Sequence, residues 1–169
     1  MKIRYVLPFV NAVLLALLLY MNSAPREVHS AEDASGLVTH VYVIRRPLDG
    51  LPIGSAGPLA HSALLLQTVN EHYVLEYMDD SRAHLTQGTP TEVSRDAGRK
   101  IANIKMNGVA GGRTVSFEWE RQLRGTAVDP RWTPQQLQQQ MQALMKPYSL
   151  WKAEHCHQAQ QRLRAWMQQ

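Results

Sequence analysis

Residues 61–78, HSALLLQTVNEHYVLEYM, decide how the rest of the chain is read. The stretch 61–69 is apolar on both faces, which fits a strand central in its sheet. Asn70 and Glu71 suit a hairpin turn, and 72–78 returns as a second strand rich in aromatic and β-branched residues. With that turn, residues whose numbers sum to 141 lie opposite one another. His61 then faces Asp80 and shares a face with Met78 and Glu76. A carboxylate such as Glu76 inside an apolar strand is costly without a partner.

Upstream of this hairpin, 37–45 (LVTHVYVIR) has the composition of a strand, and 46–58, with three prolines and three glycines, reads as loop. Downstream, 79–98 is polar and broken by Gly88 and Pro90, and no strand is assigned there. Residues 100–106 alternate weakly. Residues 113–120 alternate better, with Val115, Phe117 and Trp119 on one face, and 107–112, with three glycines, reads as the connection between them. Residues 124–131 read as loop.

The period then changes. Thr133 is a good N-cap, Pro134 suits the first helical position and Gln136 completes a capping box. Leu137, Met141, Leu144 and Met145 share one helical face, and Lys146 with Pro147 ends the helix. A last helix lies within 148–167, with Ala159, Leu163 and Trp166 among its apolar residues. The glutamines between 135 and 142 read as a solvated helix face. Strands first and helices last predict an α+β fold, an antiparallel sheet packed against C-terminal helices.

The chain has 169 residues and a mass of 19.1 kDa, which suits one domain, placed at 37–169. Before it, residues 5–21 (YVLPFVNAVLLALLLYM) are interrupted only by Pro8 and Asn11 and follow Lys2 and Arg4. As helix they would span about 26 Å. This plan predicts a transmembrane anchor or signal peptide over 1–24, with a polar linker over 25–36. The domain is then expected outside the cytoplasm, membrane-anchored or secreted to a space such as the periplasm. Without Lys2 and Arg4 the chain carries 16 basic and 14 acidic residues, a net of +2, with no dense basic run. A nucleic-acid partner is not expected.

A single cysteine, Cys156, excludes an intrachain disulfide and a multi-cysteine zinc site. It lies in WKAEHCHQAQQ, where the final helix should begin. Peptide dipoles at a helix N-terminus favour thiolate, the nucleophilic form, and a nearby imidazole can hold the proton. A lone cysteine is more commonly a small buried apolar residue. His155 and His157 flank it but point away from each other on a helix. His61, opening its strand at the sheet rim, is the candidate base. Glu76 or Asp80 would orient it, with Asp79 and His84 further candidates. No HxxxH or HExxH spacing, phosphate-cradling glycine loop or GxSxG elbow occurs, so no metal or cofactor is expected.

The stretches GPLAHSALLLQTVNEHYVLEYM and MKPYSLWKAEHCHQAQQRL together resemble the circularly permuted papain-like hydrolases, which include permuted NlpC-type enzymes and the lecithin:retinol acyltransferase group. There an early strand begins with the catalytic His, and the nucleophilic Cys opens a late helix after a tyrosine, short gap, Asn-Cys pattern. Tyr148, Cys156 and Ala159 match that pattern and His61 matches the strand. His155 stands where Asn is common. The resemblance implies a permuted papain-like domain and a thiol hydrolase or acyltransferase with Cys156 as nucleophile, His61 as base and Glu76 as orienting residue. Its substrates would be peptide, peptidoglycan or lipid-like amides or esters. The alternative is a catalytically inactive, membrane-anchored binding or assembly protein of the same fold.

Overall fold

The computed structural model describes residues 36–48, 60–152 and 154–169. The expected anchor at 1–24, nearly all of the linker at 25–36 and all of the loop at 46–58 after residue 48 lie outside the described residues. Among the described residues, no helix is long and apolar enough to cross a membrane.

Eight strands precede two helices among these residues: β1 His40–Arg46, β2 His61–Gln67, β3 His72–Tyr77, β4 Ala83–Gly88, β5 Thr91–Asp96, β6 Ile101–Ala110, β7 Arg113–Gln122 and β8 Thr126–Ala127, then α1 Pro134–Leu144 and α2 Cys156–Met167. The α+β class and the antiparallel sheet with C-terminal helices are as the sequence predicts. The strand order is β4-β3-β2-β1-β7-β6-β5, with β8 beside β1. The sheet curls until the far end of β6 meets β3 and β4. A backbone amide of β6, that of Val109, there reaches the Glu76 side chain on β3.

The curl explains the two-faced burial of β2, in which His61 through Leu66 are all buried. Ala63 and Leu65 face the inside of the curl with Ile44, Val74, Ile104, Met106 and Trp119. Leu64 and Leu66 face outward and pack with Val41, Leu75 and Tyr77 under α1 and α2, through Leu137, Met141, Ala159 and Leu163. Fully burying one such side chain contributes about 1.5–3 kcal/mol, so both layers are needed to hold the strand.

Several elements depart from the sequence reading. The β2–β3 loop is longer than a two-residue turn. Thr68 and Glu71 close it by mutual hydrogen bonds, and Gln67 pairs with His72. The register therefore sums to 139, not 141, and moves every cross-strand partner by two. The polar segment 79–98 holds β4 and β5. All six β5 residues are exposed, so no apolar alternation could mark that strand. Residues 107–110 belong to β6, and the turn to β7 is only Gly111 and Gly112, at φ of +53° and +73°. Two successive positive φ values suit the two-residue hairpin turn that glycine allows without strain. Within 124–131, Thr126 and Ala127 form β8.

Helix α1 begins with the full capping box: the Thr133 hydroxyl accepts from Gln136 N, and the Gln136 side chain accepts from Thr133 N. Its glutamines are not simply a solvated face. Gln142 Oε1 accepts from Ala83 N at 2.8 Å, and Gln138 Nε2 donates to Ala83 O at 2.8 Å. These two side chains, one helical turn apart, occupy the backbone of the edge strand β4, which would otherwise present open pairing groups.

Candidate active site

Cys156 is the first residue of α2 and begins its buried stripe of Cys156, Ala159, Gln160, Leu163 and Met167. The three- and four-residue spacing turns that stripe toward the sheet, so the thiol faces the start of β2. His155, the N-cap, makes no side-chain capping bond. His61 is the first residue of β2 and pairs with Arg46 at the end of β1. Both Cys156 and His61 are buried, at 5% and 4% exposure, although each lies at the end of its element.

Each of the two side chains shifts the ionisation of the other. Nε2 of His61 is engaged by Glu76 Oε2 at 2.9 Å, which leaves Nδ1 for the sulfur. Burial pushes the Cys156 thiol up, yet the His61 hydrogen bond and charge, with backbone amides of Ser62 and His157 directed at the sulfur, carry it below its ordinary value. Burial likewise pushes His61 down, and the bonds and charges of Cys156 and Glu76 outweigh it, so the imidazole is raised. A lowered thiol and a raised imidazole are both shifts toward the charged forms, thiolate and imidazolium.

Glu76 is fully buried. In the observed register its position lies diagonally across from His61, a separation that a glutamate can bridge. Its other oxygen, Oε1, accepts from Val109 N at 2.8 Å. The neighbouring Gly108 makes this possible: a Cβ there would stand 2.8 Å from Glu76 Oε1 and 2.9 Å from Trp119 Cζ2. Trp119 lies against the His61 ring, with centroids 6.0 Å apart, and is itself fixed by donating from Nε1 to Met106 O at 3.1 Å.

Asp80 is not beside His61. Its carboxylate accepts from His84 Nε2 at 2.9 Å on the surface, so these two candidates partner one another. Asp79 lines a cavity of about 260 Å³ whose other walls include His61, Arg46, Tyr77, Gly111 and Tyr148. Tyr148 stacks on Tyr77 and feels the charge of Cys156; burial first, then that charge, raises its phenol. Burial lowers the imidazole of His157, which bonds to the backbone of Ala60.

Three supporting parts had no legible signal. Gly108 and Val109 read as connection, and Trp119 only as an apolar strand residue. Arg46, buried at the end of β1, sits over the Phe117 ring at 3.9 Å. Among the described residues, no group of three or more His, Cys, Asp or Glu could hold a metal ion.

Compared with protein-family models, with curated proteins and with solved structures, the chain finds no match.

Proposed function

We propose that the protein is a thiol hydrolase or acyltransferase that cleaves an amide or ester bond through an acyl-enzyme on Cys156. The observation that carries this reading is the line Cys156–His61–Glu76. A thiol lowered by an imidazole, which a buried carboxylate holds from its far side, is the arrangement that nucleophilic thiol catalysis needs. Thiolate attack on the carbonyl forms the carbon–sulfur bond. The His61 imidazolium gives its proton to the departing amine or alcohol as the tetrahedral intermediate collapses to a thioester. His61 then takes a proton from water, or from a second acceptor, whose oxygen or nitrogen displaces the sulfur.

The oxyanion needs donors. The amide of Cys156, first in its helix and so without an intrahelical acceptor, is one candidate. The Tyr148 hydroxyl, on the wall of the cavity that His61 also lines, is another. The order of His strand, hairpin and late Cys helix supports placing the domain with the permuted papain-like hydrolases. The apolar run at 5–21 supports attachment to, or export across, a membrane. Peptide, peptidoglycan and lipid-like acyl donors all fit this chemistry.

Incubation with a panel of activated acyl esters, followed by mass spectrometry of the intact chain, tests the proposal. The expected result is an acyl adduct on the wild type, located at Cys156, and none on Cys156→Ala. Absence of an adduct with every ester, in a protein whose melting is normal, favours the binding or assembly protein instead.

A further inference from the structure

The domain also carries a cavity whose lining includes neither His61 nor Cys156. A groove of about 450 Å³ is lined by Val43 and Arg45 of β1, Arg99, Lys100 and Ile101 at the start of β6, and Glu120, Gln122 and Arg124 on and after β7. We infer that this groove is a binding site for a phosphate group, either free in solution or carried by a lipid headgroup.

The strand register brings the charges together. Arg45 lies directly opposite Glu120, and Gln122 lies opposite Ile101. Glu120, Gln122 and Arg124 recur every second residue and so run along one face. The turn before β6 then adds Arg99 and Lys100 from the other side. Three arginines and one lysine thus surround a space containing one carboxylate, Glu120, which lies 3.9 Å from Arg99. Lys105 and Glu118, the next charged pair along β6 and β7, face each other outside the groove and leave its balance unchanged.

Like charges gathered around one cavity repel, and the arrangement is favourable when an anion occupies it. Guanidinium forks from separate elements suit an anion with three or four oxygens better than a two-oxygen carboxylate. The backbone adds a second observation. Lys100 has φ of +58°, in the left-handed region that non-glycine residues seldom adopt. Its amide donates to Ala97 O within the β5–β6 turn, and its carbonyl accepts from Leu123 N, just after β7, at 2.9 Å, so the residue is fixed on both sides. A lysine is held at the groove where glycine or asparagine would sit more easily. Strain of this kind clusters at ligand-holding sites. Helices α1 and α2 pack over β2, β3 and β4, so among the described residues neither helix covers this part of the sheet.

The groove does not depend on the thiol chemistry, and its test has a separate readout. The full chain in neutral detergent is melted with added inorganic phosphate, with micelles containing phosphatidylglycerol, and with acetate or chloride at the same ionic strength. The same series is run on the double variant Arg45→Gln, Arg124→Gln. A ligand held only by the folded chain raises Tm. The expected result is a rise of several degrees with one phosphate source, absent with acetate or chloride and lost in the double variant. A rise with inorganic phosphate assigns the free ion; a rise only with the lipid assigns the headgroup. No rise in either phosphate arm, an equal rise with acetate, or a rise that the double variant keeps overturns the proposal. Should the double variant melt too low to compare, Lys100→Gly, which relieves the strain while removing the charge, takes its place.

Discussion

The carboxylate of Glu76 joins three strands. From β3 it accepts from His61 Nε2 of β2 at 2.9 Å through one oxygen and from Val109 N of β6 at 2.8 Å through the other. It is buried, and these two donors satisfy its oxygens in place of water. The imidazole is thereby held with its second nitrogen toward Cys156, and the orientation of the candidate base depends on the closure of the curled sheet.

The first prediction concerns pH. His61 is raised above 6.5, so imidazolium persists to higher pH than in the unfolded chain and is lost as pH rises through the folded value. Cys156 is lowered below 9.0, so thiolate persists to lower pH and is lost as pH falls through the folded value. The stability that the imidazolium contributes is therefore lost as pH rises, and that of the thiolate as pH falls. The rate of iodoacetamide alkylation should rise through a midpoint below 9.0 in the wild type and move upward in His61→Ala. Identical profiles for the two proteins would show that His61 does not activate the thiol.

The second prediction separates two carboxylates. Glu76→Gln keeps the shape but removes the carboxylate behind His61, and should lower turnover on the order of 10⁴-fold, as when a triad's orienting residue is altered. Asp80→Asn disturbs only surface contacts, the pair with His84 and the bond from the Arg82 amide, and should change turnover less than about twofold. The comparison uses whichever ester acylates Cys156, with thermal melts as a folding control. Equal losses in the two variants would remove Glu76 from the orienting role.

How far the sequence revealed this site follows from what each residue does. Cys156 and His61 sit at the ends of elements that composition and periodicity mark clearly. A lone thiol at a helix start, and a histidine opening an apolar strand, are both visible in one dimension. Glu76 was visible as a misplaced charge and as one of two carboxylates that could orient His61, but the register assumed could not choose between it and Asp80. The loop closed by Thr68 and Glu71 moved the register by two residues, and an even shift leaves each side chain on its original face while changing its partner. Gly108 and Val109 were missed because their role arises only when β6 folds over β3. Strand β5 was missed because it is exposed throughout and pairs by backbone alone. The groove cations Arg45, Arg99, Lys100 and Arg124 are scattered in sequence and converge only through register.

The third prediction tests Gly108. An added methyl would overlap Glu76 Oε1 at 2.8 Å, Trp119 Cζ2 at 2.9 Å and Phe117 Cδ2 at 3.1 Å. All three belong to rigid or fully engaged groups, so the strand must shift. Overpacking of this kind costs about 1–3 kcal/mol. Gly108→Ala should therefore lower Tm by several degrees and reduce alkylation of Cys156, because the carboxylate behind His61 is displaced. Gly111→Ala, where a Cβ meets nothing within 4 Å, would be strained only through its φ of +53° and should leave alkylation near wild type. Unchanged alkylation in a folded Gly108→Ala would show that the position serves packing alone.

The fourth prediction concerns the segment that delivers Cys156. Ser149 and Glu154 exchange backbone hydrogen bonds at 2.8 and 2.9 Å and close a short hairpin just before α2. Its tip exposes Leu150 at 69% and Trp151 at 99%, so apolar packing does not hold it. What holds it is Glu154, whose carboxylate takes both ends of the Arg162 guanidinium, at 2.8 and 2.9 Å, and the amide of Lys146 at 3.2 Å. Arg162 lies in α2 and also donates to Leu144 O at the end of α1, so one side chain ties the hairpin to both helices. The Arg162 bond lowers the Glu154 carboxyl below 4.5. Its stabilising effect is thus present above that value and fades as pH falls through the folded one. Arg162→Ala should expose the Ser149 and Glu154 amides to hydrogen exchange while Leu64 and Leu65 in β2 stay protected, a local opening in place of global unfolding. Acidifying the wild type should produce the same pattern. Because the hairpin sets where α2 begins, alkylation of Cys156 should slow in Arg162→Ala with little change in its pH midpoint. Full protection of both amides in that variant would mean that the backbone pair, and not the ion pair, positions the start of the helix.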